Sequence, residues 1–159
     1  MEQYVTYKTA MQLKMVGYDE KCESFYDENK KLKFWDSRAA FSNSQFAKFA
    51  VAAPSQSEAN RWLREKQKYH IMAPPKKPGK WIAAIYMVIP PNKFDGKLNA
   101  VFLEEKEYGT YEKAVEAGLQ FVLKTLIDAQ KKYIKNMGNK EMLERLKKEL
   151  EEAGFDLNH

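Results

Sequence analysis

Apolar residues along this chain change their spacing several times, and each change predicts an element. In residues 6–17, TYKTAMQLKMVG, Tyr7, Met11 and Met15 recur every four positions between a threonine suited to cap a helix start and a glycine suited to follow a helix end. A short helix is predicted there. In CESFYDENKKLKFW two aromatic-bearing stretches flank the polar turn DENKK, the pattern of a hairpin. SRAAFSNSQFAKFAVAAPS is rich in small residues around Phe41, Phe46 and Phe49, which predicts a packed connection with one helical turn.

Pro54 stops any helix arriving from upstream, and Ser55 with Glu58 three residues on forms a capping box. The helix that follows is expected to place Ala59, Trp62, Leu63, Lys66 and Tyr69 on one stripe, with Arg61, Arg64, Glu65 and Lys68 opposite. Trp62 therefore belongs to a core. MAPPKKPGK should end this helix as a stiff, lysine-bearing loop, because proline fixes φ and removes a donor. In WIAAIYMVI both alternating sets are apolar, as in a central strand covered on two faces; after the Asp95-Gly96 turn signal, AVFLEEKEYG returns as a more polar antiparallel partner. Thr110 then caps a long helix whose Val115, Leu119, Val122, Leu123, Leu126 and Ile127 form a wide apolar face. Gly118 lies on that face, which implies a close approach to the sheet or to the Trp62 helix. Met137-Gly138 closes this helix, and Asn139 caps a last one with Leu143, Leu146 and Leu150 in a stripe before Gly154. That stripe either folds back on the body or forms the seam of a homodimer.

The fold class expected from this order is α+β: an antiparallel sheet flanked by helices, with a helix-strand-strand-helix core and a C-terminal helix. Residues 1–53 read as a helix and hairpin element packed on the core, 54–137 as the core and 138–159 as the final amphipathic helix, all in one globular unit.

Composition changes this picture little. With 159 residues, 44% apolar and 13% aromatic, the chain has ample material for one core, and its 31% charged residues form a solvated surface. One cysteine, Cys22, leaves no internal disulfide and no four-ligand zinc set. The N-terminal residues lack the apolar run of a signal peptide, and the run from Trp81 to Pro91 is too short to span a bilayer, so a soluble cytoplasmic protein without membrane partners is expected. Charge matters through its distribution. Residues 1–53 carry 8 basic and 7 acidic side chains (+1), 54–137 carry 15 and 9 (+6), and 138–159 carry 4 and 6 (−2).

NRWLREKQKYHI, followed by two strands and YGTYEKAVEAGLQFVLKTLI, resembles a group of small uncharacterised proteins of Bacteroides-type gut bacteria and their phages and prophages. VTYKTAMQLKMVGYDEKCESFYDE near the start is similar to an element that accompanies it there, so that the likeness covers most of residues 4–128. It implies a phage- or mobile-element-linked origin and brings no activity with it. The APPKKPG loop and the acidic C-terminal helix lie outside the shared pattern. The element order also resembles the double-stranded-RNA-binding domain, in which lysines at the start of the second helix hold phosphates. Here that turn is TYEKAVEA, and Glu112 and Glu116 flank a lone Lys113, which argues against that mode.

Candidate chemistry is sparse. His70, read at a helix end, is placed to favour the helix dipole when protonated; His159 is terminal, and Cys22 reads as a structural thiol. There is no glycine-rich phosphate loop, nucleophile elbow or histidine pair at metal spacing, and Glu104, Glu105 and Glu107 alternate across a strand instead of converging. No catalytic, cofactor-binding or metal-ligating residue is expected. The one suggestive cluster is basic: Arg61, Arg64 and Lys68 on the helix with Lys76, Lys77 and Lys80 in the loop after it, a candidate partner surface. The expectation is a non-enzymatic protein-interaction module, with nucleic-acid binding through the Arg61–Lys80 region as alternative and an enzyme with dispersed carboxylates as a distant third.

Overall fold

In the computed structural model of this chain, residues 2–36, 39–46, 48–88, 93, 100–103, 105–136 and 140–154 are described. They form two compact units that alternate along the chain: Met1–Val5 with Ser55–Val122, and Thr6–Pro54 with Leu123–His159. The fold is α+β, with helices and antiparallel sheets in the combination expected. No described helix is long and apolar enough to cross a membrane.

In the unit containing Thr6–Pro54, helix α1 spans Tyr7–Met15. Thr6 caps it by accepting from the Thr9 amide, and Gly17 follows its end at φ +92°, so both end signals act as read. Its buried residues are Thr9, Ala10, Leu13 and Met15; Tyr7 and Met11 are only half-buried. The hairpin is present as β1 (Ser24–Tyr26) and β2 (Leu32–Phe34), with Asp27 accepting from the Asn29 and Lys31 amides to shape the turn. The connection expected after it holds a 3-10 turn, Asn43–Gln45, and also a strand, β3 (Val51–Ala52), which pairs with β1. Two small residues are too short a run to announce a strand. What secures β3 is a pair of distant partners: Ser24 Oγ donates to the Ala53 carbonyl at 2.6 Å and Asn43 Oδ1 accepts from the Ala52 amide at 2.9 Å.

The other unit begins with α2 (Gln56–Trp62). Ser55 Oγ accepts from the Glu58 amide at 3.2 Å while Glu58 Oε2 accepts from the Ser55 amide at 2.9 Å, the reciprocal capping box expected from the sequence. Trp62 is 5% exposed and Leu63 fully buried, as the apolar stripe requires. The helix is shorter than its periodicity implies. One π-helical turn, Leu63–Gln67, ends it; Lys68 takes a left-handed conformation at φ 64°, and Tyr69–Met72 form strand β4. Lys66, within the π-turn, is thus exposed instead of on the buried stripe, Tyr69 has left the helix, Lys68 lies outside it, and His70 sits in a strand instead of at a helix end.

The lysine-bearing segment is a hairpin instead of a loop, with β5 (Pro75–Lys77) paired to β6 (Lys80–Trp81) and Gly79 turning at φ +71°. Prolines at an edge cost no ladder bond where the missing donor would face solvent. Of WIAAIYMVI, Trp81 belongs to β6 and only Ala84–Met87 form the central strand β7, between β4 and β8 (Ala100–Leu103), both antiparallel to it. Ala84 and Ile85, on opposite faces, are buried, whereas Met87 is 50% exposed, so only the first half of the strand is covered on both sides. The Asp95-Gly96 turn lies outside the described residues.

Helix α3 spans Tyr111–Asn136, capped by Thr110, whose hydroxyl accepts from the Lys113 amide at 3.2 Å. Its residues to Val122 belong to the unit of β4, β7 and β8, and the remainder to the unit of α1. A Cβ on Gly118 would lie 2.5 Å from Cγ2 of Ile71 on β4, so the close approach inferred from this glycine is to the sheet. Helix α4 (Lys140–Glu152) folds back within its own unit: Leu146 and Leu150 are half-buried and share a groove with Met15 of α1 and Ile134 of α3. The Met137-Gly138 closure, the Asn139 cap and the Leu143 side chain lie outside the described residues.

Candidate functional site

Two alternations meet in β4 and explain how α2 is held. The Val88 amide donates to the Lys68 carbonyl at 2.8 Å, which makes 68 and 88 a bonded pair of the antiparallel ladder and leaves Ile71, three residues on, with its backbone aimed at the free edge. Asn60 of α2 takes both groups. Its Oδ1 accepts from the Ile71 amide at 3.0 Å and its Nδ2 donates to the Ile71 carbonyl at 2.8 Å. A second amide joins α2 to α3: Gln56 Nε2 donates to the Glu112 carbonyl at 3.0 Å and to Glu116 Oε2 at 2.9 Å.

Between these fixed points lies an open groove of about 410 Å³, lined by Gln56, Ser57, Glu58, Asn60, Arg61, Arg64, Tyr111 and Val115. Arg61 and Arg64 are exposed and three residues apart, so they share one face of the α2 segment. Tyr111, at the first position of α3, is 49% exposed, while Val115, one turn on, is buried and supplies an apolar floor. Of the acids nearby, Glu58 closes the capping box and Glu116 accepts from Gln56. The groove sets the Arg61 and Arg64 side chains beside an amphipathic ring. Comparison with protein-family models, with curated proteins and with solved structures finds no match to this chain.

The basic residues of the expected partner surface divide. Arg61 and Arg64 line the groove; Lys68, Lys76, Lys77 and Lys80 do not. Lys68 donates to the Glu65 carbonyl at 2.8 Å. The hairpin lysines gather about an acid: Lys77 Nζ is 3.0 Å from Glu107 Oε2, and that hydrogen bond, with the charges of Lys77, Lys76 and Lys80, holds the Glu107 carboxyl below its ordinary range. Glu107 is brought there by Trp81 and Tyr108, which exchange backbone hydrogen bonds of 3.0 and 2.8 Å. Of the three carboxylates of this stretch, Glu107 is thus in an ion pair and Glu105 exposed, while Glu104 lies outside the described residues.

His70 does not serve a helix dipole. It pairs with Tyr86 across β4 and β7, its Nδ1 is buried without a hydrogen-bond partner among the described residues, and burial, then the charge of Arg64, push its pKa below the ordinary imidazole value. Cys22 is buried, with its sulfur 3.6 Å from the Tyr18 hydroxyl. Among the described residues no group of three or more His, Cys, Asp or Glu side chains could hold a metal ion. Sequence reasoning missed Tyr111, Val115 and Gln56 as groove residues. Tyr111 carried a signal all the same, since at four residues before Val115 it continues the apolar stripe of α3 to the helix end, where it is half exposed.

Proposed function

We propose that this chain is a non-enzymatic protein-interaction module, of the phage or prophage kind that its sequence resemblance implies, whose partner presents an acidic segment with an apolar or aromatic side chain. The observation that carries this reading is the placing of Arg61 and Arg64 beside exposed Tyr111 above Val115. Arginine and tyrosine are enriched among residues that dominate protein interfaces, because each offers a large rigid surface together with directional hydrogen bonds. An acid of the partner would take the guanidinium groups while its apolar neighbour covers Tyr111 and Val115.

Nucleic-acid binding is the second reading, supported by the exposed Lys76, Lys77 and Lys80 on a short hairpin. Glu107 in their midst weakens it, and the buried indole of Trp62 is no platform for a base.

Capture from a host lysate, with and without nuclease, compares the wild-type chain with Arg61→Glu/Arg64→Glu. The expected outcome is a protein retained after nuclease treatment and lost with the double reversal. Retention that depends on nucleic acid, with salt-dependent retardation of RNA or DNA abolished at Lys76 and Lys77, would replace this reading by the second.

A further inference from the structure

The unit of α1, the second part of α3 and α4 holds a groove of its own, about 380 Å³ in volume. Three helices build it: Lys14 and Met15 end α1, Gln130, Tyr133 and Ile134 belong to α3, and Leu146, Glu149, Leu150 and Ala153 come from α4 and the residue after it. The floor is hydrocarbon, and Tyr133 stands on the rim, 64% exposed. Leu146 and Leu150 are only half-buried, so α4 leaves part of its leucine stripe facing this space.

Among the described residues the single cation of the lining is Lys14. It is half-buried at the end of α1, and burial alone pushes its pKa below the ordinary lysine value. Glu149 lines the same groove, yet the described residues place no carboxylate within ion-pair distance of Lys14. A desolvated ammonium beside an apolar floor is stabilised by an anion that brings its own hydrocarbon. Size narrows the choice further. Small-molecule sites occupy about 300–1,000 Å³, whereas a docked protein element buries on the order of 1,000 Å² or more in total, and here α1 contributes two residues and α4 about two turns.

We infer that this groove binds a single-chain alkyl carboxylate, its hydrocarbon against Met15, Ile134, Leu146 and Leu150 and its carboxylate on the ammonium of Lys14. Glu149 opposes a second negative charge, which favours a monoanion over a dicarboxylate or a phosphate monoester.

Titration of the full chain with decanoate, followed by calorimetry, tests this. One decanoate per chain is expected, and decyltrimethylammonium, which inverts the headgroup charge on a chain of ten carbons, should bind at least about tenfold more weakly. Lys14→Met keeps the stem's bulk and removes the charge; it should weaken decanoate at least about tenfold while leaving the melting temperature of the unliganded chain in place. Glu149→Gln should strengthen decanoate. Equal binding by Lys14→Met, equal binding of the cationic amphiphile, or non-saturating uptake of several molecules per chain would each overturn the assignment. So would a concentration-dependent dimer that excludes decanoate, because the groove would then belong to a second copy of the chain.

Discussion

Gly118 shows how much one missing methyl group decides. Its Cα is close enough to β4 that any Cβ would meet Ile71 Cγ2 at 2.5 Å, and that contact is to a fully buried side chain on a strand with little room to retreat. Gly118→Ala should gain helix propensity of about 1 kcal/mol and lose more through overpacking, about 1–3 kcal/mol. A net destabilisation is expected in urea denaturation. Because the clash is with one side chain, Gly118→Ala in an Ile71→Ala background should cost less than it does alone, a non-additivity that a double-mutant cycle measures directly. His70 supplies a second prediction of this scale. Its folded pKa lies below the ordinary value of about 6.5, so between those two values the unfolded chain binds more protons than the folded one. Stability should therefore be unaffected by this group above that window and fall as pH is lowered through it. Urea midpoints taken stepwise from about pH 7.5 to about pH 5 should drop, and His70→Gln should flatten the slope.

At the scale of elements, the helix ends were legible and one helix length was not. Thr6, Gly17, Ser55 with Glu58, and Thr110 act at the positions their chemistry indicates, because a capping hydrogen bond is local and its partners are three residues away. The end of α2 is different. Trp62, Leu63, Lys66 and Tyr69 keep helical spacing, but the backbone leaves the helix through a π-turn and Lys68, and Tyr69–Met72 pair with β7 instead. Periodicity cannot see that choice, since the winning interactions are with residues 84–87 in sequence and with the Asn60 amide across the edge. Asn60→Ala should leave the amide and carbonyl of Ile71 without these partners. The expected loss is about 1–3 kcal/mol, and Asn60→Asp, which keeps one acceptor but turns a second acceptor oxygen on the Ile71 carbonyl, should not restore it. Hydrogen exchange at the Ile71 amide reports the same change locally. The candidate groove shares this limit: its arginines were evident as a basic cluster, whereas Tyr111 and Val115 join them only through α2 and α3 packing within one unit.

For the whole molecule, sequence order and spatial order disagree. Read linearly, the first five residues lead into α1; in space they belong with Ser55–Val122. The Gln3 carbonyl accepts from the Gln56 amide at 2.7 Å, Tyr4 bridges Ser55, and Glu2 accepts from the Ser57 hydroxyl at 3.1 Å. A chain lacking residues 1–5 should therefore be destabilised at the start of α2, far away in sequence. Proteolysis near Ser57, compared with the full chain, is the readout. The α+β class was legible because hydrophobic periods of two and of about four alternate clearly along the chain. The distribution of segments between two units was not, because it depends on pairings of distant segments that no local pattern encodes.

The side-chain amide of Gln56 ties the opening turn of α2 to α3 through the Glu112 carbonyl and the Glu116 carboxylate. It therefore works as a spacer for everything that settles between Arg61 and Tyr111. Shortening it to asparagine or blunting it to leucine would alter the gap while leaving every charged contact group in place. Variation at this one position offers a route to changing which partner fits, separate from how strongly that partner is attracted.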